Sequence, residues 1–239
     1  MLYLIAGGAF CATLLGGLLA LWLQERRHVV LGFSAGAVIA VAFFDLLPEA
    51  IELGQGVHSP SLLLTTSAIG FLGYLVLDRL IALGGHYHAP ANPPNARRGS
   101  LGAGSLSVHS FLDGIAIGFA FRASPSVGLV VAAAVLTHDF SDGINTLSIV
   151  VKNGGSRRSA LLWLVVDALA PVIGIGATML VHSPASSLDV ILALFAGFFL
   201  YIGASDLIPE SHRSHPKLAT TVATVIGAGV LYLAVRFAQ

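Results

Sequence analysis

Eight apolar stretches, each about long enough for a helix to cross the ~30 Å hydrocarbon core of a bilayer, take up nearly the whole chain. They run at about 2–23, 29–53, 61–83, 101–121, 126–151, 159–181, 188–210 and 217–236, marked off by charges and by Gly, Pro and Ser clusters. The composition leaves no other placement for them. Of 239 residues, 56% are hydrophobic and 10% charged, and the mean hydropathy is +0.86. Soluble domains are nearer a quarter charged, so this chain cannot cover a globular surface with polar groups. The expected fold class is an all-α polytopic membrane protein, one transmembrane domain over residues 1–239 with the lipid bilayer as partner. A formal net charge of zero excludes a basic nucleic-acid surface, and the single cysteine, Cys11, excludes disulfide frameworks and cysteine zinc ribbons.

Basic residues orient the spans. Arg26, Arg27, Arg79, Arg97, Arg98, Lys152, Arg157, Arg158, Arg213 and Lys217 follow the odd-numbered segments, whereas only Arg122 and Arg236 fall on the other side. The positive-inside rule therefore places the first set in the cytoplasm and both termini outside. The first segment has no basic residue before it and Arg26–Arg27 after it, the reverse of a secretory leader, and reads as a retained helix. The longest connection, about residues 84–100 (GGHYHAPANPPNARRGS), is a cytoplasmic loop by its Gly, Pro and Asn content. Its His86 and His88 alone make an incomplete metal site. His58, His182, His212 and His215 read as solvated loop residues, with His212 placed to receive an ion leaving Asp206.

Ionisable side chains at mid-membrane cost about 2.5–3.5 kcal/mol or more each and need partners or a wet cavity. Here they are Asp45 and Glu49 in segment two, His109 and Asp113 in four, His138, Asp139 and Asp142 in five, Asp167 in six and Asp206 in seven. No lysine or arginine lies deep enough to neutralise them, so a mobile cation is the missing partner. Segments four and five repeat one phrase, His109-Ser-Phe-Leu-Asp113-Gly114 and His138-Asp-Phe-Ser-Asp142-Gly143. Residues four apart share a helix face, so each helix presents an imidazole above a carboxylate. Antiparallel packing of neighbouring helices can close the two pairs into a His₂Asp₂ cage. Nitrogen with carboxylate oxygen suits Zn²⁺, Fe²⁺ or Mn²⁺ rather than Cu⁺, Mg²⁺ or Ca²⁺. Ser110 and Asp139 point about 100° away from the histidines they follow and could serve a second ion or a neighbouring helix. Asp167 could complete the site or relay protons.

A second repeat, Asp45-Leu-Leu-Pro48-Glu49 and Asp206-Leu-Ile-Pro209-Glu210, sits on segments that run in opposite directions. Equivalent residues at opposite membrane faces are the mark of an inverted repeat, a transporter feature. The prolines each remove a backbone hydrogen bond and can kink their helices. Three readings fit these residues: a divalent-cation transporter, an intramembrane metal-dependent hydrolase with Asp139 or Asp167 as general base, and a bundle stapled by metal. No H-E-x-x-H phrase supports the second.

These phrases resemble the ZIP family (Zrt-, Irt-like proteins) of divalent-metal transporters. Its helix-four signature, roughly H-N-x-x-[DE]-G, is matched by His109, Asp113 and Gly114, with Ser110 at the Asn position. Its helix-five signature, roughly [HQ]-[ED]-x-P-[HE]-[EG], is matched by His138, Asp139 and Gly143, with Asp142 at the ligand position. Leu112 and Ser141 stand where proline is common, and Ala170 precedes Pro171 where some members place glutamate. The resemblance implies eight helices and a metal site on helices four and five with His109, Asp113, His138 and Asp142 as ligands. It implies a weaker Asp-lined site at Asp139, and acids at Asp45 and Asp206 lining entry and exit. Zn²⁺, Fe²⁺, Mn²⁺ or Cd²⁺ is then the transported substrate, with no resident cofactor and with uptake into the cytoplasm as the expected direction; the short loops point to a minimal version in a bacterial plasma membrane, and the sequence leaves a homodimer open.

Overall fold

The computed structural model describes residues 1–19, 27–85, 96–180, 187–212 and 218–238. Eight helices long and apolar enough to cross a membrane account for nearly all of them. They are α1 (Leu2–Leu19), α2 (Arg27–Val41, Ala42–Leu46 and Leu47–Leu53 in succession), α3 (Pro60–Gly85), α4 (Ala96–Ala123), α5 (Pro125–Lys152), α6 (Arg157–Leu180), α7 (Leu188–Tyr201, Ile202–Leu207 and Ile208–His212 in succession) and α8 (Leu218–Ala238). The expected loop 84–100 is shorter than its composition suggested. Gly84 and Gly85 still belong to α3, and Ala96–Ser100 already form the first turn of α4. Ala96 and the two arginines after it are good helix formers and outweigh Gly99. His86 and His88 lie outside the described residues, as do His182 and His215.

Local chemistry sets the ends that matter. A single residue, Ser124, joins α4 to α5. Its hydroxyl accepts from the Val127 N–H at 3.2 Å, and Pro125, which has no N–H to leave unsatisfied, opens the helix. So short a link forces α4 and α5 into an antiparallel pair. The α5–α6 turn uses Gly154 at φ +80°, a conformation that suits glycine.

The prolines of the D-L-x-P-E phrases each follow a widened turn of their helix. Each is preceded by a π-helical stretch, Ala42–Leu46 in α2 and Ile202–Leu207 in α7. There the Leu47 N–H reaches back to the Ala42 carbonyl and the Ile208 N–H to Gly203. The wider turn makes room for a ring that would otherwise clash with the carbonyl four residues before it.

Close backbone contacts reveal the symmetry. Gly16 of α1 packs on the Phe140 carbonyl of α5, and Gly174 of α6 on the Phe111 carbonyl of α4. Gly143 of α5 meets Thr13 of α1, as Gly114 of α4 meets Pro171 of α6. Gly36 of α2 sits on Thr224 of α8 as Gly197 of α7 sits on Ser67 of α3; Gly227 sits on Phe33 as Gly70 sits on Leu194. All these pairs superpose under one exchange: α1 with α6, α2 with α7, α3 with α8, α4 with α5. That is an inverted repeat expressed in packing, with small residues letting helix backbones touch.

The exchange also sorts the helices into two bundles, α1/α4/α5/α6 and α2/α3/α7/α8, whose strongest pairings are internal. α5 lies at the centre, with 72% of its membrane window buried against 22% for α3. Large apolar side chains such as Leu62, Ile69 and Val76 of α3, Leu162 and Ile173 of α6, and Val225 and Leu233 of α8 face outward, as lipid contact requires.

Candidate metal site

The α4–α5 hairpin brings the two H-x-F-x-D-G phrases face to face. His109 Nε2 lies 3.3 Å from Asp113 Oδ2 and 3.6 Å from Asp142 Oδ2, and His138 Nε2 lies 3.2 Å from Asp113 Oδ2. One ligand atom from each of the four residues falls within 4.8 Å of the others. A tetrahedral Zn²⁺ with bonds of ~2.0–2.1 Å places its ligands about 3.3–3.4 Å apart. The three His–Asp separations of 3.2–3.6 Å are close to that value, and the full set lies within 4.8 Å, so the four side chains converge closely enough to share one small divalent ion. All four side chains are buried, and among the described residues the ion pairs of Asp113 and Asp142 are to histidines alone.

The two histidines are held differently. His138 Nδ1 is 3.0 Å from the Ala134 carbonyl. A carbonyl only accepts, so Nδ1–H donates to it, and Nε2, 3.2 Å from the Asp113 carboxylate, is the nitrogen turned to the cage. His109 Nδ1 instead meets the hydroxyl of Tyr74, from α3, at 2.5 Å.

The remaining sequence-selected residues divide into three groups. Asp139 is fully buried beside His138, and among the described residues neither of its carboxylate oxygens has a hydrogen-bond partner. Asp167 does not join the four-residue cage. It accepts from the Ser110 hydroxyl at 3.0 Å and from the Thr146 hydroxyl at 2.7 Å, tying α6 to α4 and α5. Ser110 thus serves Asp167 rather than pointing at the His₂Asp₂ cluster. Neither Asp45 nor Asp206 belongs to the four-residue cluster, and they differ from each other: Asp45 is 2% exposed, whereas the Asp206 side chain is exposed. Two equivalent positions of the repeat thus differ in burial.

Some participants were not picked out by sequence reasoning. Asp78 of α3 accepts from the Tyr201 hydroxyl at 3.0 Å. Tyr74 and Asp78 are one helical turn apart, so a Y-x-x-x-D face was readable but unremarked, overshadowed by the adjacent Arg79. His58 was expected to be solvated; its Nδ1 is paired with Asp189 Oδ2 at 2.6 Å, joining the α2–α3 connection to the start of α7. His212 is also engaged, its Nδ1 with the Ile208 carbonyl at 3.0 Å and its Nε2 with Thr221 of α8 at 3.2 Å.

An eight-helix bundle built as an inverted repeat around a buried His/Asp cluster defines an integral membrane protein for metal ions. Residues 101–234 match the ZIP zinc transporter family, and the chain belongs to it. It is therefore a metal transporter and not an enzyme, which removes the hydrolase reading. The zinc transporter ZupT of Enterobacter sp. (strain 638) is 26% identical over 100% of this chain and 96% of its own length, and that of Escherichia fergusonii is 27% identical over the same shares. Zinc transporter zipt-7.1 of Caenorhabditis briggsae is 30% identical over 53% of this chain, spanning 36% of the nematode protein.

Proposed function

We propose that the chain carries a divalent transition-metal ion, Zn²⁺ foremost and Fe²⁺, Mn²⁺ or Cd²⁺ by the same donor set, into the cytoplasm by alternating access. The observation that carries this reading is the convergence of His109, Asp113, His138 and Asp142, all buried and with one ligand atom each inside 4.8 Å, where among the described residues Asp113 and Asp142 form ion pairs with histidines alone. The ion enters past Asp45, exchanges water for the four side chains, and leaves by Asp206. Ser110, Asp139 and Asp167 form a weaker acidic flank on the far side of the α4–α5 hairpin. Each helix of the cage belongs to the α1/α4/α5/α6 bundle, so a shift of that bundle against α2/α3/α7/α8 carries the site from one face to the other.

The burial of Asp45 with the exposure of Asp206 supports an inward-open arrangement. The charge bias orients the Asp206 end to the cytoplasm, with both termini outside. The relatives named ZupT support a bacterial plasma membrane as the location. Residues 1–239 act as one transmembrane unit, and the lipid-facing apolar surfaces leave room for a homodimer. No resident cofactor and no nucleic acid enter this scheme; the metal is substrate.

The test is zinc uptake into sealed proteoliposomes. Wild type should accumulate Zn²⁺, and the His138→Ala/Asp142→Ala variant should lose that uptake while inserting normally. Equal uptake by both would end the assignment of the site.

A further inference from the structure

Tyr74 reaches the cage from the opposite bundle. Its hydroxyl lies 2.5 Å from His109 Nδ1, its ring stands edge-on to that imidazole, and it is held in place by Phe198 and Tyr201 of α7, with ring centroids 5.5 and 5.3 Å away. The inverted repeat supplies an internal control for what this hydroxyl does. Gly70 and Gly227 occupy equivalent places on α3 and α8, so the counterpart of Tyr74 is Leu231 and that of Asp78 is Val235. Both counterparts are buried and apolar. Packing at this level of the bundle is therefore satisfied by a leucine, and the scaffold itself does not call for the phenol oxygen.

The two cage histidines differ in the matching way. His138 hangs its Nδ1–H on the Ala134 carbonyl of its own helix, whereas His109 uses Tyr74. We propose that Tyr74 is a positioning residue of the metal site, whose hydroxyl holds the His109 imidazole with Nε2 aimed at Asp113 and Asp142. Resting on the reading of these residues as a metal cage, the inference adds a consequence. Because Tyr74 stands on α3, the support lasts only while the two bundles keep this relation, so sliding one against the other loosens one ligand and helps the ion depart. A phenol suits the task because its oxygen serves in both directions: it donates to Nδ1 while Nε2–H donates to the carboxylates, and it accepts from Nδ1–H while Nε2 ligates the cation. Partners of this kind on a ligating histidine typically change metal affinity about 10–100-fold.

Tyr74→Phe removes the oxygen and keeps the ring contacts. In the purified full-length protein, its Zn²⁺ dissociation constant, read by competition with a chromophoric chelator, should rise about 10–100-fold. In the His109→Ala background the same substitution should add nothing, since its effect runs through that imidazole. A second readout needs no metal: in histidine-¹⁵N-labelled protein, Tyr74→Phe should move the His109 Nδ1 resonance and leave that of His138 in place. An affinity within twofold of wild type, an equal further loss in the His109→Ala background, or an unmoved His109 resonance would each overturn the inference. Failure of wild type itself to bind Zn²⁺ would refute the cage reading, and the resonance would still judge the Tyr74–His109 contact.

Discussion

Gly143 follows the ligand Asp142 and is the point where α5 touches α1. A Cβ built there would stand 2.8 Å from the Gly17 nitrogen and 2.8 Å from the Thr13 carbonyl carbon, and closer still to the Thr13 carbonyl oxygen. Carbon atoms sit comfortably at ~3.5–4.0 Å, so Gly143→Ala forces the two backbones apart by more than about half an ångström. No side chain can swing clear, because the obstacles are main-chain atoms. Overpacking of this kind destabilises by about 1–3 kcal/mol, and rigid neighbours put this case in the upper part of that range. Alanine regains at most ~1 kcal/mol in helix propensity, which leaves a net loss of about 1–2 kcal/mol. For a chain of this size that lowers the melting temperature by about 2–8 °C. Gly7 of α1, with nothing within 4 Å of the corresponding point, is the control. Gly7→Ala keeps the propensity gain without the clash and should be neutral or slightly stabilising. Thermal unfolding in detergent, with Zn²⁺ binding measured alongside, tests the pair. Gly143→Ala should melt lower and bind Zn²⁺ about tenfold more weakly, because the displaced backbone carries Asp142 with it. Equal melting of the two variants with unchanged affinity would refute the claim that α1–α5 contact sets the cage.

Further outcomes follow from the same geometry. Asp167→Asn keeps the shape but leaves one of the two donors, Ser110 or Thr146, facing an amide instead of a carboxylate oxygen; a loss of about 1–3 kcal/mol in thermal or denaturant stability is expected. Zinc affinity should fall as pH is lowered, about tenfold per pH unit where one ligand proton is released per ion, since protons compete for the imidazole and carboxylate donors; a flat titration would argue against these ligands. In a Cys11→Ser background, Asp206→Cys should react with a water-soluble thiol reagent applied at the cytoplasmic face, while Asp45→Cys should not react from either face until the protein changes conformation.

How much of this was readable beforehand depended on the range of each interaction. The eight spans and the His109/Asp113 and His138/Asp142 pairs were legible because helical periodicity and intramembrane charge are local signals. The antiparallel meeting of the two pairs followed from the short connection at Ser124. The start of α4 was missed because a run of Pro and Asn masked the helix-forming Ala96-Arg97-Arg98. Tyr74 escaped notice since a tyrosine in an apolar segment is ordinary, and its value appears only once α3 is placed against α4. The partnership of Asp167 with Ser110 and Thr146 joins three helices, and no spacing within any one of them encodes it. The prolines of the D-L-x-P-E phrases were readable as sites that can disturb a helix; the π-helical turns before them depend on what packs around the helix and were not.

The scaffold is nearly symmetric, but the chemistry laid over it is not. Exchange of the two halves maps Gly16 onto Gly174 and Thr13 onto Pro171, so the same register puts Asp167 of α6 opposite Ala9 of α1. Likewise Tyr74 and Asp78 of α3 fall opposite Leu231 and Val235 of α8. Two symmetric halves give a backbone two equivalent ways to lean, and so two mouths of similar construction. The unmatched polar residues then make those mouths unequal. Asp78, Tyr201 and Asp206 lie toward the end where Asp206 is exposed, whereas at the other end Asp45 is enclosed and the His58–Asp189 pair ties the α2–α3 connection to α7. On the proposed route, a cation moving from the cage toward Asp206 passes the neighbouring carboxylates of Asp78 and Asp206. The symmetric part of the chain thus gives its two halves equivalent packing, while the unmatched polar residues make its two ends chemically unequal.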